Sequence, residues 1–141
     1  MKKYIITTAI TLIAGTIYGQ TDKNVFNCNI ENKEYNLFMR INLYDNNIEV
    51  PQHELFGELP GFLGKKHNSF VWAITGAKFK NEHTAELTMI NDFGSEDCTA
   101  ILTCKNDSIY ILKQKNGSAL KVPDNNKWKK LPTTMEFKRR Y

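Results

Sequence analysis

The sequence predicts an all-β protein: a single antiparallel meander that closes into a small barrel of 8–10 strands or, as the alternative, folds into a two-sheet β-sandwich. Three observations carry this expectation. Beyond residue 20, apolar residues recur with period two through most of the chain. Asn, Asp and Gly separate these runs at short intervals, as tight turns require. No segment of the same region holds an apolar stripe at helical spacing. With 141 residues, 41% of them hydrophobic and 11% aromatic, the chain has the size of one domain and too much apolar content for disorder.

The elements follow in order. Val25–Ile30 forms a first strand, and Glu34–Tyr44, carrying Tyr35, Leu37, Phe38, Ile41 and Leu43, forms a second. Ile48–Val50 is a short strand that stops at Pro51. Residues 51–68 hold Pro51, Gly57, Pro60, Gly61 and Gly64 among Leu55, Phe56, Leu59, Phe62 and Leu63. That mixture reads as a long, partly buried connection with one helical turn near Gln52–Phe56. Phe70, Trp72 and Ile74 then alternate on one face, Gly76 marks a bulge or bend, and Lys78–Lys80 completes the strand. Further strands are expected at Thr84–Asn91, Cys98–Lys105, Ser108–Gln114, Ser118–Val122 and Thr134–Lys138. Asn116-Gly117 reads as a hairpin turn between the third and fourth of these.

The first residues have a separate logic. Lys2 and Lys3 precede an uncharged, largely apolar run to Gln20, the pattern of a secretory signal peptide over residues 1–19, cut after Gly19 or Gln20. Four threonines in the run and the lack of a following Lys/Arg cluster speak against a membrane anchor. Thr16 stands where a lipid-bearing cysteine would be needed. The expected product is one domain, 20–141, exported to the periplasm or outside the cell without a stable membrane anchor.

Charge is divided along the chain. Residues 20–112 carry a net −5, whereas residues 113–141 carry +7 through Lys113, Lys115, Lys121, Lys127, Lys129, Lys130, Lys138, Arg139 and Arg140. A total of +4 is too small to mark a nucleic-acid binder.

Three cysteines in an exported chain allow one disulfide, with three reduced, buried thiols as the alternative. Cys98 and Cys104 sit on one expected strand, about 20 Å apart, so any bridge would join Cys28 to Cys98 or Cys104.

The motifs of catalysis are thin. Asp92-Phe93-Gly94 lacks every other kinase element. Asp92, Glu96 and Asp97 form the densest run of oxygen ligands, but without calcium-loop spacing; the loop reads as a self-capped hairpin turn and no metal is expected. His53, His67 and His83 show no metal-ligand spacing, and no motif calls for a cofactor. Carboxylate pairs for a hydrolase can be drawn from any chain with 15 acids. Lys127-Trp128-Lys129-Lys130 is more telling. A Trp among lysines can stack on a sugar while the cations meet acidic groups; the plainer reading places Trp128 in the core with its lysines snorkelling.

Export, size and an all-β meander make the chain similar in architecture to small periplasmic barrels, the lipocalin-like domains and the lysozyme inhibitors. The Ser-Gly-x-x-Tyr loop of those inhibitors is absent, so the resemblance brings no site residues. The expectation is a non-enzymatic binding protein for an envelope component, a glycan or a small apolar ligand. Its site would involve Trp72, Trp128, Lys127, Lys129 and Lys130. The alternative is an inhibitor or immunity-type module that contacts another exported protein through Phe56, Phe62 and Leu63.

Overall fold

The structure is a computed structural model, and it describes residues 25–140. The expected leader at residues 1–19 lies outside the described residues. Twelve strands follow one another: β1 (Asn27–Asn32), β2 (Leu37–Asn42), β3 (Ile48–Glu49), β4 (Glu58–Leu59), β5 (Gly61–Lys65), β6 (Val71–Asn81), β7 (Thr84–Asn91), β8 (Asp97–Asn106), β9 (Ile109–Gly117), β10 (Lys121–Asp124), β11 (Lys127–Lys130) and β12 (Thr134–Arg140). Eight of them close into an antiparallel barrel in the order β1-β12-β9-β8-β7-β6-β5-β2. The barrel expectation therefore holds over the sandwich. The meander is interrupted twice, by the pair β3–β4 and by the pair β10–β11, each a separate two-stranded ribbon.

Period-two alternation turns one face of each barrel strand inward. Ile30, Leu37, Met39, Ile41, Leu63, Trp72, Ile74, Leu87, Met89, Leu102, Tyr110, Leu112 and Phe137 are buried in a single cluster along the axis. Side chains thus occupy the space in which a small apolar ligand would sit. Closure leaves no barrel edge to pair with another chain.

Strand direction assigns the two interruptions to opposite ends. The β10–β11 ribbon leaves the barrel at the end that also holds the β5–β6 and β7–β8 turns. Val122 of β10 and the flanking Leu120 and Leu131 insert into the main core, so the ribbon acts as a lid. The lobe 43–60 leaves from the other end and folds back along the outer wall. There Ile48 and Val50 bury Phe62 and Val71 in a second small core, with Phe38, Phe56 and Leu59 packed against it.

Three expectations are corrected. Residues 61–65 are a barrel strand, not part of a connection. Gly61 and Gly64 serve close approach there: a Cβ at Gly61 would lie 2.3 Å from the Arg40 carbonyl oxygen, and one at Gly64 2.7 Å from the Phe38 ring. Asn116-Gly117 is not a hairpin turn either. β9 runs through it, pairing Gly117 with Cys98 and Asn116 with Thr99; Gly117 takes a φ of +94° with its backbone against Asp97 and Cys98. The strand expected at Ser118–Val122 begins instead at Lys121.

The cysteines form no disulfide; all three are buried free thiols. Cys98 lies at the opposite end of β8 from Cys104, too far from Cys28 to bond with it. The Cys28 thiol donates to the Tyr110 hydroxyl at 3.4 Å, and Tyr110 is the cross-strand partner of Cys104. Cys28 and Cys104 thus gather around one phenol rather than joining each other. The Tyr110 hydroxyl in turn donates to the Val25 carbonyl, which satisfies its polar end inside the core.

Candidate functional site

At the lidded end, three segments bring aromatic rings together. Phe70 precedes β6, Phe93 lies in the β7–β8 loop and Trp128 lies on β11. Phe70 and Trp128 meet edge to face with centroids 5.1 Å apart. Phe93 stands 6.0 Å from Phe70 and 6.4 Å from Trp128. Phe70 is buried, but Phe93 is 70% and Trp128 52% exposed. Between them opens a cleft of about 200 Å³, lined also by Trp72, Asn91, Ser95, Glu96 and Lys121.

Each part has a local cause. The Asn91 side-chain oxygen accepts the backbone N–H groups of Ser95 (3.0 Å) and Glu96 (3.3 Å), and Gly94 takes a φ of +72°. This self-capped turn holds Phe93 outward, as its composition predicts. Trp72 forms the floor: its ring is fully buried and its indole N–H donates to the Lys121 carbonyl at 2.9 Å. Lys65 adds a second tether, donating to the Pro123 carbonyl at 2.8 Å and the Asp124 carboxylate at 3.1 Å.

Register then decides what accompanies Trp128. Pro123 opposes Trp128 and Lys121 opposes Lys130 in the ribbon. Residues directly opposite or two apart share a face, so Trp128 is flanked on its own face by Lys121 and Lys130. Lys121 is bridged to Glu96 at 3.0 Å. Lys129 lies on the other face, with its ammonium 5.1 Å from the Tyr35 ring centroid. Lys127, Lys129 and Lys130 are all exposed.

The residues singled out from sequence divide accordingly. Trp128 is not a core residue, because β11 belongs to the outer ribbon rather than the barrel wall. Trp72 is a core residue that reaches the cleft only as its floor. Phe62 and Leu63 are buried and present no contact surface, since β5 is part of the wall. Phe56 is half-buried over the second core. The most exposed apolar residue of that lobe is Leu55, whose side chain stands entirely in solvent. Asp92, Glu96 and Asp97 do not converge. The Asp92 carboxylate accepts the Val71 N–H and lies 3.5 Å from the His53 ring nitrogen, while Glu96 turns to Lys121. Among the described residues, no three His, Cys, Asp or Glu side chains are grouped to hold a metal ion.

Sequence reasoning missed Phe93 and Leu55 as surface groups. Phe93 carried a signal, since an aromatic residue inside a Gly/Asp/Ser turn has no core position to occupy. No family model, characterised protein or solved structure matches the chain. A reading of its function therefore rests on these groups alone.

Proposed function

We propose that the protein is an exported, non-enzymatic binding protein that takes an acidic glycan on the Phe93–Trp128 cleft. The observation that carries this reading is the half-exposed Trp128 ring set among Phe70 and Phe93 with Lys121 and Lys130 on its own face. An aromatic face receives the apolar C–H side of a sugar ring, and the adjacent ammonium groups favour one bearing carboxylate or phosphate. Asn91, Ser95 and Glu96 supply polar groups for hydroxyls at the inner edge. The filled barrel axis directs the choice away from a small apolar ligand and toward the outer surface. Export rests on Lys2, Lys3 and the apolar run that follows.

Titration calorimetry with acidic and neutral oligosaccharides of equal length tests this reading. Binding of the acidic series that weakens as salt is raised is the expected result. Equal binding of the neutral series, or none of either, contradicts it.

A further inference from the structure

The lobe 43–60 carries four carboxylates, Asp45, Glu49, Glu54 and Glu58, all exposed, and no Lys or Arg. From its crest projects Leu55, entirely in solvent. The crest is held firmly. Backbone N–H groups of His53, Phe56 and Gly57 donate to Val50, His53 and Glu54 at 3.0–3.1 Å. The His53 ring lies 3.1 Å from the Ser69 carbonyl oxygen and 5.7 Å from the Phe56 ring, and β3 pairs with β4 at the base. A leucine displayed on a rigid turn loses little conformational entropy on docking.

The lid offers the opposite features: an open aromatic cleft, with Lys121, Lys127, Lys129 and Lys130 against the single acid Asp124. The Leu55 side chain can enter between the cleft's aromatic rings, and although Glu96 already pairs Lys121 there, the acidic lobe and the lysine-rich ribbon are opposite in net charge. Within one molecule they cannot meet, because the second core and the β3–β4 pairing fix the lobe on the outer wall. They nevertheless adjoin. His53 contacts Asp92, the neighbour of Phe93, and Phe93 contacts Trp128. A surface whose acidic half borders its basic half is self-complementary about a two-fold axis.

We infer that two copies of this chain associate through this surface, the Leu55 crest of each entering the Phe93–Trp128 cleft of the other, with Glu54 and Glu58 facing Lys127 and Lys130. The cleft is the one that takes the acidic glycan in the proposed function, so ligand and partner compete for it. By linkage, an acidic glycan that occupies the cleft shifts the dimer toward monomers.

Sedimentation velocity over a concentration series tests the contact. The expected result is a concentration-dependent dimer that weakens as ionic strength approaches about 1 M, where the screening length falls to about 3 Å. Leu55→Asp is expected to sediment as a monomer throughout. Two charge-reversed variants, Glu54→Lys with Glu58→Lys and Lys127→Glu with Lys130→Glu, are each expected to be monomeric alone and to form a heterodimer when mixed. Recovery on mixing shows that both fold and that the charges face each other. A wild-type protein that stays monomeric at every concentration, or a dimer unchanged in Leu55→Asp, overturns the inference. Glycan titration of the monomeric Leu55→Asp variant separates the two readings, since that substitution leaves the cleft intact.

Discussion

The indole N–H of Trp72 donates to the carbonyl oxygen of Lys121 at 2.9 Å. This bond joins the barrel wall to the lid, because Trp72 belongs to β6 and Lys121 opens the ribbon that carries Trp128. Trp72→Phe keeps an aromatic ring but leaves a half-buried carbonyl without its donor. A loss of about 1–3 kcal/mol is expected, read as a lower urea midpoint with an unchanged slope. An unchanged midpoint would mean that the lid is held by its leucines and Lys65 alone.

Two glycines are fixed by their neighbours rather than by turns. Gly117 combines a φ of +94° with a position where a Cβ would come within 2.5 Å of the Asp97 carbonyl oxygen. At Gly61 the corresponding approach is 2.3 Å, to Arg40. Both blocking atoms are backbone and cannot swing aside. Ala at either position is expected to destabilise the barrel by about 1–3 kcal/mol. Gly94→Ala meets no atom within 4 Å, so its effect is confined to the strain of a positive φ in an exposed loop. Thermal melts of the three variants give the ranking.

Burial holds all three thiols in their neutral form. Desolvation raises the pKa of Cys28 and Cys104, and pushes that of Cys98 up to about 11. A thiol reagent at pH 8 is expected to label none of them in the native protein and all three after unfolding. An acid whose folded pKa is raised above its unfolded value stabilises the fold fully below that unfolded value, and the contribution fades as pH climbs toward the folded one. The urea midpoint is therefore expected to fall between about pH 9 and pH 11. Replacing Cys98 by Ala should reduce that fall.

His53 pins the lobe to the barrel through its contact with the Ser69 carbonyl. His53→Ala is expected to speed amide hydrogen exchange in residues 43–60 while the barrel strands keep their protection. Uniformly faster exchange would show that the lobe and barrel unfold together.

Much of the barrel was legible because alternation survives wherever a strand separates core from solvent. Ala85, Leu87 and Met89 on β7 and Cys98, Ala100, Leu102 and Cys104 on β8 are buried in strict period two. β5 was not legible, since Gly61 and Gly64 resemble turn residues unless the Arg40 backbone and Phe38 ring beside them are known. Its neighbours Phe62 and Leu63 are both buried because the lobe covers the outer face as well. Trp128 was ambiguous for a related reason. Lys127-Trp128-Lys129 has the alternation of a barrel strand, and only the pairing of β11 with β10 outside the barrel turns that ring outward. The aromatic cleft depends on Phe70 meeting Trp128 across 58 residues of sequence, a contact that no local pattern announces.

The most direct test of the cleft uses its own fluorophore, since Trp128 is one of only two tryptophans and the other is buried. Tryptophan emission is followed while the protein is titrated with polygalacturonate, and separately with neutral dextran. A saturable change with the acidic polymer alone, lost in Trp128→Phe and weakened by salt, is the predicted result. A change that persists in Trp128→Phe, or no response to the acidic polymer at low salt, would contradict binding at this site.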